Sequence, residues 1–133
     1  MEIPGITGER LPKNLYLEDT MQTKALLHID ELDKWQLVIT NTKNLLAALQ
    51  GKEYAIEIVA NAAAVTELKK AGSKFVAELG ELAGSQVTVA ACRNALKATG
   101  TGEGELFDFV QVVPAGVLEI IEKQNVGFAY IKP

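Results

Sequence analysis

The chain has 133 residues, the length of one ordinary domain and enough to bury a single core without disulfides or a structural metal. Apolar residues make up 48% and charged residues 23%, and no uninterrupted apolar run is long enough for a membrane helix, so neither intrinsic disorder nor a transmembrane segment fits. The formal net charge is −4, with Lys and Arg nowhere concentrated, which argues against a nucleic-acid surface.

Residues 1–22 carry two of the four prolines and two of the eleven glycines without helical or strand periodicity, and are expected to be a flexible extension. They lack the basic start and apolar stretch of a secretory signal. Residues 23–133 read as a single domain. Ala25 to Ile29 is the first apolar run, followed by a helical stretch from Asp33 to Gln50. Trp35, Val38, Leu45, Leu46 and Leu49 share one face of that stretch, and Gly51 stands where a C-terminal cap is expected. Asp33 suits the N-cap, and Asp30 suits either a cap or a site. Tyr54 to Val59 is the second strand. Val65, Leu68, Phe75, Val76, Leu79 and Leu82 then describe helical structure interrupted near Gly72 and ended by Gly84. Gln86 to Ala90 is the third strand, Arg93 to Thr99 a short helix, Phe109 to Val113 the fourth strand, Ala115 to Gln124 a helix, and Phe128 to Ile131 the fifth strand.

Strands that alternate with helices of crossover length predict a three-layer α/β/α sandwich with a mostly parallel five-stranded sheet. No proline lies between Lys13 and Val113, as buried strands that donate every ladder hydrogen bond require.

Ligands of open α/β sheets bind beyond the carboxyl ends of the strands. That rule selects His28 and Asp30, Asn61, Cys92 with Arg93 and Asn94, and Pro114 with Gly116. Cys92 is the sharpest of them. It falls where a strand gives way to a helix, a position whose free amides and dipole favour a thiolate, with Arg93 adjacent; the alternative is a small inert core cysteine. His28 is either a hydrogen-bonded structural residue or a base. The segment Gly100 to Gly104 follows a helix and lacks the Lys-Ser/Thr pair of a phosphate loop, so it reads as a mobile loop. One cysteine and one histidine cannot form an internal disulfide or the usual four-ligand zinc site. No metal or cofactor is therefore expected, and a reduced, cytoplasmic setting is.

The segments Leu27-His28-Ile29-Asp30-Glu31, Val59-Ala60-Asn61, Val89 to Asn94, Val112 to Val117 and the ending Tyr130-Ile131-Lys132-Pro133 resemble the DsrE/DsrF-like family, in particular a small branch related to sulfur-relay proteins such as DsrE and TusD. The resemblance spans Lys24 to Pro133 and rests on the order and spacing of five short motifs. Asn61-Ala62-Ala63-Ala64 departs from it, with alanine where such proteins tend to carry Gly or Pro. It implies a compact α/β/α domain, a homo-oligomer with a trimer favoured, and a cysteine in the place of Cys92 that takes sulfane sulfur as a persulfide from a donor protein and passes it to an acceptor. The alternative function is an oligomeric module that binds a small ligand or partner without catalysis. No membrane or nucleic-acid partner is expected.

Overall fold

Each central strand is apolar along most of its length because helices cover the sheet on both sides, the pattern of a buried parallel sheet. The computed structural model describes residues 22–133; the expected extension over residues 1–22 lies, Gln22 apart, outside the described residues. The elements run β1 (Thr23–Ile29), α1 (Trp35–Ala48), β2 (Tyr54–Ala60), α2 (Val76–Gly84), β3 (Val87–Cys92), α3 (Arg93–Ala98), β4 (Val110–Val113), α4 (Gly116–Asn125) and β5 (Ala129–Ile131). All strand pairs are parallel, in the order β4-β3-β2-β1-β5. The fold is the three-layer α/β/α arrangement that the alternation predicts.

The strand order fixes how the helices are shared between the faces. Steps from β1 to β2, β3 and β4 all move the same way across the sheet, so right-handed crossovers carry α1, α2 and α3 to one face. The step from β4 to β5 returns across the whole sheet and carries α4 to the other. The larger core cluster lies under the three helices and includes Leu27, Ile29, Trp35, Val38, Ile39, Ile58, Leu68, Leu79, Leu82 and Val89. On the α4 side only Leu26, Val59 and Ala90 are buried in the cluster, with Val113, Ile120 and Phe128 packed against them.

Ahead of α2, local structure departs from the sequence reading in two places. Residues Ala62–Leu68 form a 3₁₀ helix, not the first part of a longer α-helix. The reason is tertiary: Leu68 to Lys70 must run extended to pair with Glu105 to Phe107, through Lys70 N–H to the Glu105 carbonyl (2.8 Å) and Phe107 N–H to the Leu68 carbonyl (3.1 Å). A helix cannot continue through backbone committed to a neighbouring segment. Asp33 does not cap α1. It sits inside a 3₁₀ turn, Leu32–Lys34, and Lys34 is the N-cap residue, without a side-chain cap bond.

Trp35 is fully buried at the start of α1, and its indole N–H donates to the Ala64 carbonyl at 3.0 Å, tying α1 to the segment after β2.

Candidate functional site

The parallel register brings the strand ends to one edge. Ile29 pairs with Ala60, Ala60 with Ala91, and Ala91 with Val112, so the next residues, Asp30, Asn61, Cys92 and Val113, stand at one level. The connections that leave β3 and β4 turn to opposite faces, toward α3 and α4 respectively. This divergence is the topological switch point at which open α/β sheets admit ligands, and Cys92 and Val113 are register partners there.

Cys92 is the last residue of β3 and the N-cap residue of α3, the strand-to-helix junction that the sequence indicates. It is only 8% exposed, however, and joins the cluster that contains Ala91, Ala95 and Leu96. Within one chain the thiol is thus nearly withdrawn from solvent, packed back against the first turn of α3. Arg93 also does something other than support the thiol. Its Nε donates to the Glu103 carboxylate at 2.9 Å, so the guanidinium braces the glycine-containing loop. That loop is pinned, not free: Glu105 accepts from the Gly102 N–H, and the Thr101 N–H donates to the Leu96 carbonyl at 2.8 Å. Asn94 and Pro114 are exposed on the same edge.

The polar groups that do meet lie on the α4 side of the sheet. His28 Nδ1 is 2.7 Å from the Tyr130 hydroxyl, and its Nε2 is 3.0 Å from Asn61 Nδ2. With the Asn61 amide in this orientation, the pattern assigns the imidazole proton to Nδ1, which donates to the Tyr130 oxygen, while Nε2 accepts from the Asn61 N–H. The phenol hydrogen of Tyr130 is then left to donate outward. Burial lowers the His28 pKa; the Asp30 carboxylate partly offsets this and the Lys132 ammonium adds to it. Asp30 is taken up by an ion pair with Lys132 at 2.9 Å, whose hydrogen bond holds the Asp30 carboxyl below its usual value and raises that of Lys132. Asn61 extends from the end of β2 to Gly116, its Oδ1 in contact range of the space a side chain at 116 would need. That oxygen is buried without a hydrogen-bond partner.

The model of the DsrE/DsrF-like family matches residues 39–133. The chain belongs to the DsrE/DsrF-like family. Among solved structures it is similar to the protein of unknown function MTH1491 from Methanobacterium thermoautotrophicum, at 35% identity and a TM-score of 0.78, covering 84% of this chain and 100% of the other. It is also similar to the ychN protein from E. coli, at 15% identity and a TM-score of 0.70, covering 85% of this chain and 100% of that one; at that identity the likeness concerns the fold. No curated protein matches the chain.

In this DsrE/DsrF-like protein, then, the edge brings together His28, Asn61 and Gly116, sets Asp30 beside them on Lys132, and holds Cys92 at their level on the next strand. Tyr130 and Lys132, which complete the polar chain, stand in the C-terminal motif of the resemblance but not among the strand-end candidates, because β5 joins β1 from 102 residues away. Glu57 was legible in principle, as a lone acid in the apolar run Tyr54 to Ala60. Among the described residues no group of three or more His, Cys, Asp or Glu side chains could hold a metal ion, and no helix is long and apolar enough to cross a membrane.

Proposed function

We propose that this chain handles sulfane sulfur, with Cys92 as the atom that carries it. Family membership supports a sulfur-related role, and the observation that carries the assignment to Cys92 is its station at the switch point, ending β3 and capping α3. The step is a thiolate displacement. The Cys92 thiolate attacks the outer sulfur of a donor persulfide, the donor's S–S bond breaks, and the donor leaves as a thiolate while Cys92 becomes the persulfide. No external oxidant is needed, because the sulfur carries its oxidation level with it. A chain with one cysteine cannot discharge itself, so an acceptor protein supplies the second thiol. A reduced, cytoplasmic compartment suits a carrier of this kind.

The assembly belongs to the same reading. Val117, Leu118 and Ile121 on the outer side of α4, with Val126 just after it, expose apolar side chains, Val117 being 65% and Ile121 49% exposed. A second copy of the chain is the occupant we assign to this face, in a homotrimer, because an apolar patch of this kind on a small domain marks an interaction surface.

A second reading has its own observation. The Tyr130–His28–Asn61 chain, with an outward phenol hydrogen, suits a non-catalytic module that binds a small ligand at this edge. Exposure of the native protein to a persulfidated donor, followed by intact mass, separates the two. An added mass of about 32 Da, reversed by reductant and absent in Cys92→Ala, is the expected result. No adduct without denaturant would overturn the carrier and leave the binding module.

A further inference from the structure

Halfway along β2, in a strand otherwise made of apolar side chains and Tyr54, stands Glu57, with its side chain 3% exposed. One carboxylate oxygen, Oε1, is 3.5 Å from Lys123 Nζ; the other, Oε2, is buried and has no hydrogen-bond partner. The neighbours are few. From α4 come Lys123 and Glu119, and Lys123 also lies 3.8 Å from the Glu119 carboxylate. From β1 comes Leu26, the register partner of Glu57, and farther down Lys24, whose ammonium is taken by the Val126 carbonyl at 2.9 Å. From β3 comes Thr88, uncharged, and beyond β1 the Tyr130 phenol of β5 is engaged with His28. The Phe128 ring closes the cluster beneath the Lys123 ammonium, 5.4 Å away.

Two carboxylates therefore face one ammonium, and of the three side chains Glu57 is the one withdrawn from solvent, Lys123 staying 34% exposed. If both were ionised, a net negative charge would be buried and Oε2 would remain an unpaired acceptor, each an unfavourable outcome. A proton on Glu57 removes both problems at once, turning that carboxyl into a donor toward Glu119 and leaving one carboxylate for Lys123.

We propose that Glu57, Glu119 and Lys123 form a proton-dependent latch that fastens α4 to the sheet, closed while the two carboxylates share a proton and weakened as that proton becomes harder to keep. Burial, reinforced by Glu119 and opposed by Lys123, pushes the Glu57 pKa up to about 8 in the closed state. The latch matters because α4 is the sole helix on its face of the sheet among the described residues, over a small cluster of Leu26, Val59 and Ala90.

The sign follows from linkage. With α4 lifted away, Glu57 returns toward its ordinary value of 4.5 and ionises; with α4 docked it holds its proton to about 8. Between those values the closed state binds one more proton than the open state, so opening becomes easier by about tenfold per pH unit, and levels off above about 8.

Hydrogen exchange of the full chain in its native assembly reads this directly, as protection of the α4 amides after correction for the intrinsic pH dependence of exchange. Protection in the wild type is expected to fall by about a hundredfold from pH 5.5 to 7.5, against a flat profile in Glu57→Gln, whose amide can still donate to Glu119. Parallel profiles in the two proteins would overturn the latch. A carboxyl-carbon NMR titration of the wild type needs no variant and stands even if Glu57→Gln fails to fold. A Glu57 midpoint near 8, moving down in Glu119→Gln, is expected, and a midpoint in the ordinary glutamate range would overturn the proposal. Neither readout depends on whether Cys92 carries sulfur.

Discussion

The Asn61 amide oxygen and the backbone of Gly116 share one space: a methyl group at position 116 would overlap Asn61 Oδ1, Cγ and Nδ2. Glycine at the start of α4 is thus what lets the end of β2 approach the helix and what keeps the Asn61 amide turned to His28. Gly116→Ala gains about 1 kcal/mol in helix propensity but forces the amide or the helix to move, which costs about 1–3 kcal/mol in a packed site. The clash wins, and urea denaturation is expected to show net destabilisation. In an Asn61→Ala background the same substitution becomes neutral or favourable; an unchanged cost there would refute the close approach as the cause.

Ala62 adopts φ +50°, in the left-handed region that L residues with a Cβ avoid. The strain is set by the chain reversal between β2 and the 3₁₀ helix, where the Asn61 N–H is already committed to the Ile29 carbonyl at 2.8 Å. Glycine at this position removes about 1–2 kcal/mol of strain and gives back part of it as unfolded-chain entropy. Ala62→Gly is expected to raise stability by roughly 0.5–1 kcal/mol, seen as a higher denaturation midpoint with an unchanged slope. A lower midpoint would contradict the assigned backbone geometry.

His28 gives a pH dependence opposite in sign to that of Glu57. Its folded-state pKa is lowered, chiefly by burial, from 6.5, so the unfolded chain takes up a proton first as the solution becomes acidic. The stability associated with neutral His28 is present above pH 6.5 and is lost as pH falls below it. Compared with His28→Gln, the wild type should lose ground between pH 7 and the mildly acidic range. Equal acid sensitivity of the two proteins would mean that His28 is not held neutral by its surroundings.

The outer face of α4 should decide the assembly. Ile121→Glu places a charge at the centre of the apolar stripe formed with Val117 and Leu118, without touching Glu119, Ile120 or Lys123 on the sheet side. Analytical ultracentrifugation is expected to find the wild type as an oligomer and the variant as a 14.3 kDa monomer with unchanged secondary structure. An oligomer of the same size in both would exclude this face.

Sequence alone determined the parallel α/β class, the number of strands and the position of Cys92 at a strand-to-helix junction. Those features are written in short-range patterns: apolar runs such as Val87 to Ala91, the helical spacing of Trp35 and Val38, and the absence of proline from the central strands. Tertiary structure decided which side chains meet. Strand order sends β5 back to β1, and only then does Tyr130 reach His28 and Lys132 reach Asp30. The same return places α4 alone on one face, where Glu119 and Lys123 confront Glu57. Packing of the first turn of α3 buries the thiol, whose exposure no local pattern reads, and turns Arg93 to Glu103. Periodicity is a property of neighbouring residues, whereas these contacts join residues brought together by the register of the sheet, and no local pattern carries that information.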